Sequence, residues 1–240
     1  MRALYDLGKM IASFNFFEWL LLAQAAGAKK IVVNVSSPKT NKWEKETVRR
    51  RARSIILPGP ALAGLPVEIG EEGVQPVSLP ASAALVSHWK RGGKFRRLET
   101  VKPAGNERYT VTLRNTQRAN GRNSDEDAWR VFADEIGARV IEDYDVVPIH
   151  LHQRMALYAG AEMNFFVSNG PAILCSFTEY PCMIFDCHHA RGSLKAACIG
   201  EWEQYPWMLA GKQYAIWELA TLENIRRYFS LWKSGAINDR

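Results

Sequence analysis

Apolar residues run nearly unbroken from 14 to 28, interrupted by Asn15, Glu18 and Gln24. At 15 residues the run falls short of the roughly 20 needed to cross a bilayer, so it predicts a buried helix over 14–26 with Gly27 as its stop. The β-branched segment Lys29-Lys30-Ile31-Val32-Val33-Asn34-Val35 predicts a strand entering a core, closed by Ser36-Ser37-Pro38. A second helix is expected over 44–56, with Arg49, Arg50, Arg51 and Arg53 on a solvated face, broken by Leu57-Pro58-Gly59-Pro60. Residues 58–105 are rich in Pro and Gly, and only 86–90 and 98–101 hint at regular structure. A domain boundary is placed there, near residue 100.

The second half alternates more clearly. A strand over 109–113 ends at Arg114, and a polar loop over 115–123 leads to Ser124-Asp125-Glu126-Asp127, a capping-box-like start with three acids in its first turn. The helix through Trp129, Val131, Phe132 and Ile136 stops at Gly137. A strand over 139–142 is closed by Asp143-Tyr144-Asp145. A helix follows over 150–161, with Met155, Leu157 and Tyr158 available to its buried side. Then come a strand over 164–167, the turn Ser168-Asn169-Gly170-Pro171, a short helix to Phe177, and a strand around 183–185. After an irregular insert over 187–213, Thr221 caps a last helix through Trp232. Strand and helix in alternation predict an α/β fold with a doubly wound parallel sheet. The expected organisation is a smaller, abbreviated α/β domain over 1–100 and a Rossmann-like domain over 101–240.

Composition adds little until it is divided. The 240 residues are 47% hydrophobic and 23% charged, an ordinary globular mixture with a net charge of +6. Residues 1–98 carry 16 Lys+Arg against 7 Asp+Glu, whereas residues 99–240 carry 15 against 18. An acidic second half argues against a protein that coats nucleic acid and favours a local anionic ligand. The opening residues lack the charged and apolar regions of a signal peptide, so a cytoplasmic location is expected, with peripheral contact with an anionic membrane surface as an option. Cys182, Cys187, His188 and His189 crowd together, but the spacing C-x4-C-H-H is not that of structural zinc, and on a strand positions 182 and 187 point to opposite faces. No metal and no cofactor are expected.

In open parallel sheets, ligands bind beyond the carboxyl ends of the strands. Those ends are Arg114 with its loop, Asp143-Tyr144-Asp145, Ser168-Asn169-Gly170-Pro171, and Asp186-Cys187-His188. Arg114, Arg118 and Arg122 share one loop, and guanidinium forks match phosphate oxygens in pairs. The Gly-Pro helix start suits a phosphate that approaches the backbone closely. Together these suit a nucleotide diphosphate carrying a sugar. The G-x-G-x-x-G fingerprint, the Walker sequence, the G-x-S-x-G elbow and H-E-x-x-H are all missing, and the histidines at 88, 150, 152, 188 and 189 form no recognisable catalytic set.

These runs, with Arg122-Asn123-Ser124 leading into Ala128-Trp129 and with Arg154-Met155-Ala156-Leu157-Tyr158-Ala159-Gly160-Ala161, resemble bacterial proteins of the glycosyltransferase type. More distantly the chain is similar to the nucleotide-sugar-binding half of the fucosyltransferase-like group with two Rossmann-like domains, a GT-B-like arrangement. The resemblance covers roughly 105–232 and, more weakly, 10–65. It departs at Ala220, where an acidic residue often precedes the threonine. It implies transfer of a sugar from a nucleotide-diphosphate donor to a saccharide or glycolipid acceptor without a metal. By this resemblance Arg114, with Arg122 second, holds the donor diphosphate, and Arg118, Asn123, Arg154, Ser168, Asn169, Gly170 and Pro171 complete the binding set. Asp143, Asp145 or Glu18 orients the sugar or acts as base, and nothing in the sequence chooses among them. The rival reading is a non-catalytic module that binds nucleic acid or another anionic partner through the basic clusters at 45–53 and 90–97.

Overall fold

A computed structural model of the chain describes residues 1–38, 43–75, 81–116, 123–144, 148–187, 205, 207–208 and 211–237. The chain divides into two compact units, Met1–Thr100 with Asp145–Arg154, and Val101–Tyr144 with Met155–Arg240. Residues 145–154 thus cluster with the first unit although they follow residue 100 in sequence. Both units are α/β with parallel sheets. Among the described residues no helix is long and apolar enough to cross a membrane.

In the first unit β1 (Arg2–Asp6), β2 (Lys30–Asn34) and β3 (Val67–Ile69) pair in parallel in that order. They are linked by α1 (Asn15–Ala25), α2 (Lys45–Arg51) running on into a π-helical turn (Ala52–Ile56), and α3 (Gly59–Leu62), with α4 (Ala81–Lys90) following. The helix α1 is buried from Phe16 to Ala23, as its nearly unbroken apolar run requires, and Glu18 is buried with it. Gly27 ends it at a φ of 85°, open to glycine without strain. The core is aromatic: Tyr5 meets Phe16 and Trp19 edge-on at centroid distances of 4.8 and 5.0 Å. A Cβ on Gly59 would stand 2.6 Å from Phe16 Cε1, so α1 and α3 approach only because that side chain is missing.

The second unit holds a five-stranded sheet built from β4 (Tyr109–Asn115), β5 (Arg139–Tyr144), β6 (Met163–Val167), β7 (Cys182–Phe185) and β8 (Gln213–Ala215), in the order β5-β4-β6-β7-β8. Every ladder is parallel. The helices are α5 (Glu126–Ile136), α7 (Ala172–Ser176) and α8 (Leu222–Lys233), with the part of α6 (Leu151–Ala159) from Met155 onward, its first turn clustering with the first unit.

Because side chains alternate across a strand, the two faces of this sheet differ in chemistry. Tyr109, Val111, Leu113, Phe165, Val167, Met183 and Phe185 face Trp129 and Phe132 of α5 and Ile225 and Tyr228 of α8 in one dry, largely aromatic core. The intervening positions carry Thr110, Thr112 and Asn164, all buried. Thr110 Oγ1 donates to Asn164 Oδ1 at 2.6 Å, and Thr112 Oγ1 lies 3.1 Å from the Tyr158 hydroxyl of α6. Asn164 Nδ2 donates to the carbonyls of Tyr158 and Pro181, and Gln213 Nε2 donates to those of Cys175, Thr178 and Tyr180. Buried amides satisfy the backbone where strand leaves helix. With helices on both faces, the sheet is doubly wound.

Local signals acted much as expected, with one reassignment. Asp125, not Ser124, caps α5 by accepting from Ala128 N at 3.2 Å. Gly137 ends that helix at a φ of 65°, and Thr221 caps α8 by accepting from Asn224 N. The segment 98–101 forms no strand, whereas β1, β3 and β8 were not anticipated.

Candidate functional site

The strand order locates a crevice. The connection leaving β4 passes through α5 to β5 on one side, and the connection leaving β6 passes through α7 to β7 on the other. Since β4 and β6 are neighbours, their carboxyl ends flank the topological switch point, the place where such sheets bind ligands. Their ladder closes at Thr112↔Phe166, so the residues beyond it, Leu113-Arg114 and Val167-Ser168, enter the rim.

On the β4 side the chain is pinched shut. Ser124 Oγ accepts from Arg114 N at 2.8 Å while Ser124 N donates to Arg114 O at 3.0 Å. Asn123 locks the same turn: its Oδ1 accepts from Arg114 Nη1 at 2.8 Å and Thr116 N at 3.1 Å, and its Nδ2 donates to Thr116 O at 2.9 Å. The polar loop therefore leaves and returns through one amide, and that amide orients the Arg114 guanidinium. The β4–β5 ladder puts Asp143 directly opposite Arg114. Asp143 lies inside β5 rather than in a closing turn, and its side chain is outside the described residues. Arg118, Arg122 and Asp145 are likewise outside them.

On the β6 side Ser168 N donates to Phe185 O at 2.7 Å, tying the strand end to β7. Asn169 Oδ1 accepts from Ala172 N at 3.0 Å, and Ile173 N and Leu174 N donate to the carbonyls of Gly170 and Pro171. The Asn-Gly-Pro turn thus starts α7 as its composition suggests. Asn169 is only 8% exposed, and its Nδ2 has no hydrogen-bond partner among the described residues. An unsatisfied buried donor costs about 1–3 kcal/mol, which makes this amide the least explained group on the rim.

The fourth strand end is structural. Asp186 adopts a φ of 57°, its N–H donates to Glu218 O, and its Oδ1 accepts from Ala220 N at 2.9 Å. Cys175, Cys182 and Cys187 are buried thiols, and burial pushes the Cys182 thiol up from its ordinary value. His188 and His189 are outside the described residues. Among the described residues no three His, Cys, Asp or Glu side chains gather as metal ligands.

No protein-family model, no curated protein and no solved structure matches the chain.

Two residues expected at the donor site belong to the first unit. Glu18 lies on α1 at 8% exposure and is 3.5 Å from Asn15 Nδ2. Burial, and secondarily its carboxylate, push the Tyr5 hydroxyl well above the ordinary tyrosine range. Arg154 is fully buried, its Cζ 5.6 Å from the centre of the Phe14 ring. A third buried charge, Arg51, was expected on a solvated face. Instead its Nε donates to Ala12 O at 2.7 Å and its Cζ lies 4.3 Å from the centre of the Trp43 ring. The signal for it was present, because Val48, Ala52 and Ile55 at three- and four-residue spacing put position 51 on the buried side of the helical run. Arg51, Arg154 and Glu18 are the buried charged side chains among the described residues, and each has a contact on the segment from Ala12 to Glu18.

Proposed function

We propose that the switch-point crevice of the second unit binds a nucleotide-diphosphate sugar, and that the chain is a metal-independent glycosyltransferase of GT-B-like arrangement acting on a saccharide or glycolipid acceptor. The observation that carries this reading is Arg114, a guanidinium at the carboxyl end of a switch-point strand, oriented by Asn123. Asn169 Nδ2 supports it as a buried donor awaiting an acceptor oxygen on the neighbouring strand end. Two α/β units with parallel sheets are what such an arrangement requires.

In the transfer, the bond between the anomeric carbon and the diphosphate breaks and the electron pair leaves with the diphosphate. An acceptor oxygen bonds to the same carbon and its proton passes to a carboxylate, for which Asp143 and the neighbouring Asp145 are the candidates. Arg114 stabilises the charge that accumulates on the leaving diphosphate, so its contribution grows toward the transition state. The test is a thermal-shift and calorimetric screen against GDP, UDP, ADP and CMP sugars. Selective stabilisation by one nucleotide is expected. Arg114→Ala should weaken that binding by more than about tenfold, and Arg114→Lys should recover it only in part because a lysine lacks the bidentate fork. A flat response across the panel, or unchanged affinity in Arg114→Ala, would overturn the assignment.

A further inference from the structure

We propose that the first unit carries a docking surface for an anionic lipid bilayer, centred on the outer face of α2 and its π-helical extension. Lys45, Arg49 and Arg53 stand at four-residue intervals and all three are exposed. That spacing brings side chains to the same side of a helix, in a row about 12 Å long at 1.5 Å per residue. The row runs along the border of the exposed side, which also carries Glu46 and Arg50, and the adjoining positions Val48, Ala52, Ile55 and Ile56 are fixed in the core. The row therefore cannot turn inward.

Glu44 and Glu46 flank Lys45, but among the described residues no acidic side chain bonds to the row. None of the three makes an ion pair or hydrogen bond through its side chain, and like charges at this spacing repel one another. Other exposed arginines meet a glutamate: Arg2 in the first unit, and Arg108, Arg139, Arg226 and Arg227 in the second. Lys90, Lys94 and Arg96, also exposed and without ion pairs, add to the positive surface of the first unit. Glu44 and Glu46 stand at the start of α2, so the excess charge lies in its second half.

A planar anionic surface fits this row better than a nucleic acid does. The Trp43 ring is covered by the Arg51 guanidinium, which withdraws that face from stacking on bases. Basic residues near a membrane surface attract anionic lipid additively and in a salt-dependent way.

This surface does not depend on the switch-point reading, and each survives the failure of the other. The experiment is co-sedimentation of the full chain with phosphatidylcholine vesicles with and without phosphatidylserine. Binding should require phosphatidylserine and fall as salt rises. The double variant Arg49→Glu/Arg53→Glu should lose binding by about twentyfold or more while melting like the parent, because both side chains are exposed. Lys212→Glu, an exposed charge reversal in the second unit, should bind vesicles nearly as the parent does. Absence of phosphatidylserine-dependent binding, equal loss in Lys212→Glu, or retention on duplex DNA but not on vesicles would each overturn the proposal.

Discussion

Replacing Asn123 by alanine tests whether the loop after β4 is built to hold Arg114. The side chain makes hydrogen bonds to Arg114 Nη1, Thr116 N and Thr116 O at 2.8, 3.1 and 2.9 Å, with a longer one from Thr116 Oγ1 at 3.4 Å. Thr116 is 9% exposed, so its backbone N–H and carbonyl lose their partner where water reaches poorly. Two neutral bonds at about 1 kcal/mol each and one to a charged group at somewhat more, discounted for the half-buried position of Asn123, give a loss of about 2–3 kcal/mol. Asn123→Asp should lose less. It keeps the acceptor for Arg114 and Thr116 N and gains charge pairing, but it sets a carboxylate oxygen against the Thr116 carbonyl. Urea unfolding followed by circular dichroism measures both variants, and hydrogen exchange over 109–116 reports the local release. A loss in Asn123→Ala below about 0.5 kcal/mol, the range of ordinary surface substitutions, would mean that water replaces the clamp and that Arg114 is not held by it.

Four further predictions rest on separate contacts. Gly137→Ala forces a side chain into a left-handed cap at a φ of 65° and should destabilise the second unit by about 1 kcal/mol in the same urea assay. Gly59→Ala drives a Cβ against Phe16, whose ring is fully buried and has nowhere to swing, so a loss of about 1–3 kcal/mol is expected, read by thermal melting. In the second unit the carboxyls of Glu107, Glu135, Glu162 and Glu218 are held below their ordinary value of 4.5 by Arg139, Arg226, Arg108 and Arg227 respectively. Depressed folded values mean that this stabilisation is complete above the unfolded glutamate pKa and fades as pH falls through the folded values. Tm should therefore decline on acidification below 4.5, less steeply in high salt because the pairs are exposed. An acid limb that salt leaves unchanged would remove these pairs from the account. At the other end, burial and the hydrogen bond to Glu218 push the Tyr228 hydroxyl up to about 12. Its contribution is intact below the ordinary tyrosine value of 10.0 and is lost as pH rises through about 12.

Several elements could be read without coordinates because their causes are local. The helix α1 follows from a nearly continuous apolar run, β2 from three β-branched residues in a row, and the ends of α5 from an acidic cap and a glycine that adopts positive φ. The strands β1, β3 and β8 escaped because their pairing is non-local. The last two are three residues long, and each is a strand only because a parallel neighbour accepts its backbone. Ser124 and Asp125 are both good caps, and only the return of the chain to β4 assigns the serine to Arg114 N and leaves the helix to the aspartate. Glu18 and Arg154 share the polar chemistry of the donor residues, but membership in a unit is a matter of contacts, and theirs lie with the first.

By itself the sequence determined the alternation of strand and helix, hence the parallel α/β sheet of the second unit, and the polar character of the strand ends. Those properties depend on periodicity and on turn chemistry within a few residues. Tertiary structure alone decided the order β5-β4-β6-β7-β8, which makes one pair of those ends the switch point. It also decided which arginines are buried, which are paired across the surface of the second unit, and which row on the first faces outward without a bonded counter-charge. Hydrogen bonds between distant strands and the burial of a charge are set by what the rest of the chain brings alongside, and no local pattern carries that information.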